Sequence, residues 1–168
     1  DKLNSLYHLP KLKENSFNYV KNLGKYGKTS KIKNLKENSD LAEVIGILLG
    51  DGNLCQNRIH ISFDKRNKKY IQYVRKLFKK ITIINLRYNE IRGTNQSYLY
   101  CYNKDLSNEF IKMGLIKGDK IINQVRIPQW IKNNKNYSKY CLKGLIDTDG
   151  CVYFSKRDKN YYIKFTNF

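Results

Sequence analysis

Val44-Ile45-Gly46-Ile47-Leu48-Leu49-Gly50-Asp51-Gly52 is matched further along the chain by Leu142-Lys143-Gly144-Leu145-Ile146-Asp147-Thr148-Asp149-Gly150, and the two terminal Asp-Gly pairs lie 98 residues apart. The first copy is an apolar run, and both copies close on Asp-Gly. Self-similarity at this separation is what two related half-domains in one chain leave in a sequence. Ser39 and Asp40 precede the first run, and Glu43 stands three residues after Asp40 in capping-box register, so a helix is expected to begin near Leu41. It is expected to end near Asp51, where glycine at 52 can take the left-handed conformation that closes a helix. Asp149 and Gly150 repeat that ending.

Gly46 and Gly50 are four residues apart and share one helical face, as do Gly144 and Thr148 in the second copy. Two such small-residue faces can pack with backbones almost touching, which brings Asp51 and Asp149 together at the ends of the helix pair. A carboxylate there is opposed by the negative end of its own helix and by its like-charged neighbour. A divalent cation removes both penalties, and oxygen ligands completed by phosphate and water suit magnesium better than zinc. A single Asp-Gly after a helix is ordinarily a stop followed by a turn; two copies with the same small-residue face favour a paired site.

On these residues the chain resembles the LAGLIDADG homing endonucleases. Leu142–Gly150 differs from the family's name at two of its nine letters, Leu41-Ala42-Glu43 leads into the first copy, and the Gly118–Trp130 segment, with Ile127-Pro128-Gln129-Trp130, precedes the second. The resemblance runs from about Asp40 to Phe168. It implies an α+β fold, an αββαββα repeat with pseudo-twofold symmetry whose curved sheet straddles DNA, and it implies magnesium bound by the aspartate that closes each motif, Asp51 and Asp149. The first copy departs from the pattern by carrying Leu49 where the name has its first aspartate, a letter that Asp147 keeps; only the final aspartate is the metal ligand in the family. The resemblance also implies a lysine near the metal. Lys120, in Lys117-Gly118-Asp119-Lys120, is the candidate, with a surface lysine in a turn as its plain alternative.

Periodicity supplies the rest of the first unit. Arg58, His60 and Ser62 alternate with Ile59, Ile61 and Phe63, the pattern of a half-buried strand with one polar face. From Asn67 to Ile81, Tyr70, Ile71, Val74, Leu77, Phe78 and Ile81 fall on one helical side, with the lysines largely elsewhere. Strands are expected near Ile84–Ile91 and Tyr98–Tyr102, joined across Gly93-Thr94-Asn95, then a short helix around Asp105–Met113. After Gly150 come a strand at Val152–Ser155, a charged turn, and a strand at Tyr161–Phe165. Only 18 residues follow Gly150, so the second repeat is expected to be incomplete. The expected organisation is a basic N-terminal arm or remnant of an upstream domain at 1–39, a first repeat at 40–138 and the start of a second at 139–168. A monomer of two pseudo-symmetric halves is expected if the protein is full length.

Thirty-three Lys and Arg against fourteen Asp and Glu give a net charge of +19, which implies a polyanionic partner without choosing among DNA, RNA and an acidic membrane surface. No apolar run is long enough to span a membrane, and an intracellular protein is expected. The four cysteines have no CxxC spacing, so neither zinc nor a disulfide framework is indicated. Two histidines, His8 and His60, are too few and too separate for histidine-based catalysis. Within the first 40 residues only Phe17–Leu23 shows periodicity, and Gly24–Ser30 reads as a linker.

The expected activity is site-specific hydrolysis of double-stranded DNA with magnesium, Asp51 and Asp149 each serving one strand. Arg58, His60, Ser62 and Arg87 are the candidates for sequence recognition, arginine being able to contact guanine with two hydrogen bonds; for His60 a solvated strand position is the other reading. A nuclease-inactive protein of the same fold, either an RNA maturase binding intron RNA or a DNA-binding regulator, is the alternative. Residence in an intron or an intein is left open.

Overall fold

The computed structural model describes Ile32 and residues 34–165. The Phe17–Leu23, Gly24–Ser30 and His8 readings lie outside the described residues.

Helix α1, Ser39–Leu49, is central: every residue from Leu41 to Leu48 is buried. Its N-cap is Asn38, whose Oδ1 accepts the Leu41 amide at 2.9 Å. The expected capping pair of Asp40 and Glu43 is not used, because Glu43 points into the interior and is occupied there. The described chain before α1 is part of the same compact unit; Leu35 is buried, and its amide donates to Glu109 Oε2 at 3.4 Å. The helix stops at Leu49, with the Gly50 amide donating to Gly46 O at 3.0 Å. The expectation of left-handed glycines at 52 and 150 is corrected, since neither is among the described glycines with positive φ. Closeness is what they supply. A Cβ on Gly52 would stand 2.5 Å from Leu48 Cα, and one on Gly150 2.8 Å from Ile146 Cα.

Strand β1, Gly52–Leu54, and strand β2, Arg58–Asp64, form the first hairpin, with Asn53 opposite His60. Helix α2, Lys68–Thr82, follows and buries Ile71, Val74, Leu77, Phe78 and Ile81, the stripe its period of 3.6 dictates. Strand β3, Arg87–Glu90, and strand β4, Gln96–Tyr102, form the second hairpin; Gly93 turns it with φ +78°, a value glycine adopts without strain. The sheet is antiparallel in the order β1-β2-β4-β3. Helix α3, Lys104–Lys112, is capped by Asn103 and packs Phe110 against Phe78 at 5.8 Å between ring centroids. The fold is thus α+β with an antiparallel sheet. Its inner face, Leu54, Ile59, Ile61, Phe63, Leu99 and Cys101, joins the apolar sides of α1, α2 and α3 in one core.

A short helix α4, Gln129–Lys132, leads into α5, Lys135–Asp149, which Asn134 caps through the amides of Asn136 and Tyr137. A division at 138/139 therefore falls inside a continuous helix. Helix α5 runs along α1. It delivers the chain into strands β5, Gly150–Ser155, and β6, Asn160–Phe165, a separate hairpin with Gly150 opposite Phe165. Val152, Phe154, Tyr161 and Ile163 of this hairpin are exposed. Among the described residues no helix is long and apolar enough to cross a membrane.

Candidate active site

Two helices can approach until their backbones meet only where side chains are missing, and α1 and α5 do so at Gly46 and Gly144, while Gly50 makes room for the side chains of Thr148 and Asp149. A Cβ on Gly46 would be 3.0 Å from the carbonyl carbon of Cys141, one on Gly144 2.8 Å from the amide nitrogen of Ile47, and one on Gly50 2.8 Å from Thr148 Cβ and 3.3 Å from Asp149 Cγ. Thr148 fits because its hydroxyl folds back onto its own helix, donating to the carbonyls of Gly144 and Leu145 at 3.0 Å each. This contact carries the C-terminal ends of both helices to one place, and Asp51 follows α1 as Asp149 ends α5.

Burial, and after it the charge of Asp149, pushes the Asp51 carboxyl up to about 6 from an ordinary 3.8, while Lys120 opposes the shift. Lys120 itself is lowered by burial, against which Asp149 and Asp51 act. These three groups therefore sense one another directly. The Lys120 ammonium donates to the carbonyl oxygens of Leu49, at 2.9 Å, and Gly50. It thus sits on the negative end of α1, where a cation is favoured. The turn that carries it is built locally: Gly118 takes φ +96° and its amide donates to Leu54 O at 2.8 Å, while Asp119 Oδ1 accepts the amides of Ile121 and Ile122 at 2.8 and 2.9 Å. Among the described residues there is no group of three or more His, Cys, Asp or Glu that could hold a metal. Two carboxylates, one of them raised by burial and by its neighbour, suit a hard cation that takes its remaining ligands from water and phosphate; they do not suit zinc, which takes three or four protein ligands.

The four residues chosen for recognition lie on one face. Arg58, His60 and Ser62 point away from the core on β2, and the register places Arg87 of β3 on the same side through Tyr100, which faces both His60 and Arg87. Burial and then Arg58 lower the His60 pKa, so the imidazole is neutral near pH 7 and can give or accept a hydrogen bond. Tyr98, Tyr100 and Tyr102 complete the face. Their rings succeed one another at 5.6 and 5.8 Å, His60 lies 4.9 Å from Tyr98, and Asn89 Nδ2 donates to the Tyr98 hydroxyl at 2.7 Å. The Tyr-x-Tyr-x-Tyr alternation was the available signal for them.

A second polar group was not legible at all. Glu43, 2% exposed, accepts from Lys143 Nζ at 2.5 Å and from the Tyr73 hydroxyl at 2.6 Å, and Lys143 also reaches Asp147 Oδ2 at 3.2 Å. Asp147, the extra aspartate of the second motif, thus belongs to a bridge joining α1, α2 and α5 and is not grouped with Asp51 and Asp149. The positions related to Glu43 and Lys143 by the 98-residue repeat are Cys141 and Ile45, both fully buried. One flank of the helix pair is therefore apolar and the other ionic.

No family model matches the chain. Two curated proteins are 28% identical to it over 143 residues, the ribonucleoside-diphosphate reductase NrdEB subunit alpha of Bacillus subtilis (strain 168) and that of Bacillus phage SPbeta; the shared stretch is 76% of this chain and 13% of each subunit. Among solved structures, mesophilic variants of the homing endonuclease I-DmoI are similar at a TM-score of 0.47 and 17% identity, covering 67% of this chain and 62% of theirs. The homing endonuclease I-WcaI bound to its DNA recognition sequence is similar at 0.42 and 15%, covering 90% of this chain and 64% of its own. The chain thus spans less than two thirds of each of these proteins.

Proposed function

We propose that the protein is a site-specific endonuclease of double-stranded DNA that uses magnesium. The meeting of Asp51 and Asp149 at the ends of two touching helices, under Lys120, is the observation that most supports this reading. Asp51 and Asp149 would hold magnesium, which when bound polarises the scissile phosphate and stabilises the leaving 3′ oxygen. Lys120, fixed by the carbonyls of Leu49 and Gly50, keeps an ammonium beside the carboxylates and orients the attacking water or a phosphate oxygen. The aspartates come from opposite halves of the repeat, so each serves one strand.

The face formed by Arg58, His60, Ser62 and Arg87 would read base edges, and the net charge of +19 supplies the sequence-independent attraction to phosphate. A similarity confined to 13% of two reductase subunits is in keeping with a module carried by a host element, an intron or an intein. Cleavage of a duplex selected from a randomised library, seen with magnesium and abolished by chelation, tests the reading; cleavage that persists without divalent metal contradicts it.

A further inference from the structure

The turn that holds Lys120 against α1 continues directly into two isoleucines that the fold leaves outside. Ile121 is 69% and Ile122 81% exposed. Turn positions are ordinarily polar, and adjacent exposed isoleucines are a cost unless something covers them. The turn is firmly made. Asp119 Oδ1 binds both their amides, the Asn123 amide donates to Asp119 O, the Gln124 amide to Ile121 O and the Val125 amide to Lys120 O, each of these three at 3.1 Å. The isoleucines are thus presented by a hydrogen-bonded loop whose other end is anchored beside the carboxylate pair. Exposed Lys117 and Arg126 stand on either side of them in the chain, so whatever covers the patch is offered cations as well as methyl groups.

Asp51 and Asp149, set at the ends of two touching helices and each within reach of the other's charge, can serve both strands only where the two backbones come nearest. That place is the minor groove, about 6 Å wide. A duplex seated on the aspartates therefore turns its minor groove toward the helix ends, and with it toward the neighbouring turn. Apolar side chains entering a minor groove from a basic surface can wedge between base steps, unstack them and bend the duplex.

We propose that Ile121 and Ile122 form such a wedge, contacting the minor groove beside the cleavage centre and opening a base step there. This rests on the endonuclease reading and adds to it a deformation step: sequences that unstack easily, such as pyrimidine–purine steps, are preferred at positions that no side chain reads directly. Lys120 holds the root of the wedge, so deformation and chemistry share one turn.

The test uses the full chain and a short duplex carrying 2-aminopurine at a central TpA step, in a chelating buffer so that no strand is cut. The wild type should raise 2-aminopurine fluorescence on binding. Ile121→Ser and Ile122→Ser together should keep the melting temperature and most of the affinity yet lose most of that rise, and Ile121→Leu with Ile122→Leu should retain it. A serine variant that raises the fluorescence as the wild type does overturns the wedge. So does wild-type binding without any rise, which leaves the endonuclease reading standing. A wild type that does not bind duplex DNA removes both. If light scattering instead shows a self-associated wild type that Ile121→Ser and Ile122→Ser turn into a monomer, the patch is a protein contact and the wedge is wrong.

Discussion

A Cβ on Gly144 would lie 2.8 Å from the amide nitrogen of Ile47 and nearer still to the carbonyl oxygen of Glu43; helices α1 and α5 meet there backbone against backbone. Neither atom belongs to a side chain that can swing aside. Gly144→Ala, and likewise Gly46→Ala against the Cys141 carbonyl, should push the helices apart and cost about 1–3 kcal/mol in urea unfolding. The larger Gly144→Leu should also reduce metal-dependent activity. Unchanged stability in both alanine variants would mean that the helices do not touch at these points.

The bridge between Glu43 and Lys143 makes a second prediction. Lys143→Met leaves a buried carboxylate with only the Tyr73 hydroxyl, and because Lys143 itself is 45% exposed, water replaces part of what is lost. The expected destabilisation is about 1–3 kcal/mol. Adding Glu43→Leu should recover most of it, since removing both partners of a buried ion pair costs far less than removing one. Burial acts to lower the Lys143 pKa, but hydrogen bonds to Glu43, Tyr73 and Asp147 outweigh it and the net shift is upward. The stabilisation is therefore complete below the ordinary lysine range and fades only as the pH rises beyond it. Wild-type stability that already declines between about pH 7 and 9 through this group would contradict the bridge.

Asp51 behaves in the opposite sense. Its folded pKa of about 6 lies above the unfolded value, so the folded state binds this proton more tightly. Its favourable contribution is full in acid and is lost as the pH rises through about 6. Asp51→Asn should raise stability at neutral pH by about 1 kcal/mol, well below what the full shift would give, because the carboxyl is only partly buried and water screens it on its open side, and should flatten the profile between about pH 4 and 6. Magnesium should raise the melting temperature of the wild type and not that of Asp51→Asn. A variant no more stable than the wild type at pH 7, with the same acid profile, would show that neither burial nor Asp149 disfavours the charged Asp51 carboxylate.

Much of this was legible in the sequence because it depends on period alone. The alternation from Arg58 to Phe63 and the apolar stripe from Ile71 to Ile81 each fix which side is inward before any partner is known, and Gly93-Thr94-Asn95 could only be a turn. What escaped depends on contacts between distant residues. Strand β1 has three residues, too few to show alternation, and it exists because β2 pairs with it. Glu43 looked like a capping residue because the Asp40 spacing is right; that its carboxylate is met by Lys143, 100 residues away, has no local signature. The role of Gly52 was misread for the same reason, since the need for glycine arises from the Leu48 backbone above it and not from its own dihedral angle.

Binding to duplex DNA should weaken steeply with salt, with a logarithmic slope of roughly 0.9 per phosphate contacted. Arg58→Ala or Arg87→Ala should cost about 1–3 kcal/mol on a selected target and relax preference at one position, whereas replacing a phosphate-binding lysine should weaken all sequences alike. Tyr98→Phe, which removes the acceptor of the Asn89 side chain, should alter selectivity more than affinity. Salt-independent binding, or tighter binding to single-stranded RNA than to any duplex, would contradict the assignment of this face.

The most direct measurement of the central claim is strand cleavage by the single aspartate variants on a duplex selected from a randomised library, labelled on both strands, with magnesium present. The wild type should cut both strands. Asp51→Asn and Asp149→Asn should each bind the duplex with near wild-type affinity and fail to make the double-strand break, and chelation should silence the wild type. Full double-strand cleavage by a protein carrying both Asp51→Asn and Asp149→Asn would contradict the account, because the chemistry would then lie elsewhere than at the junction of the two helices.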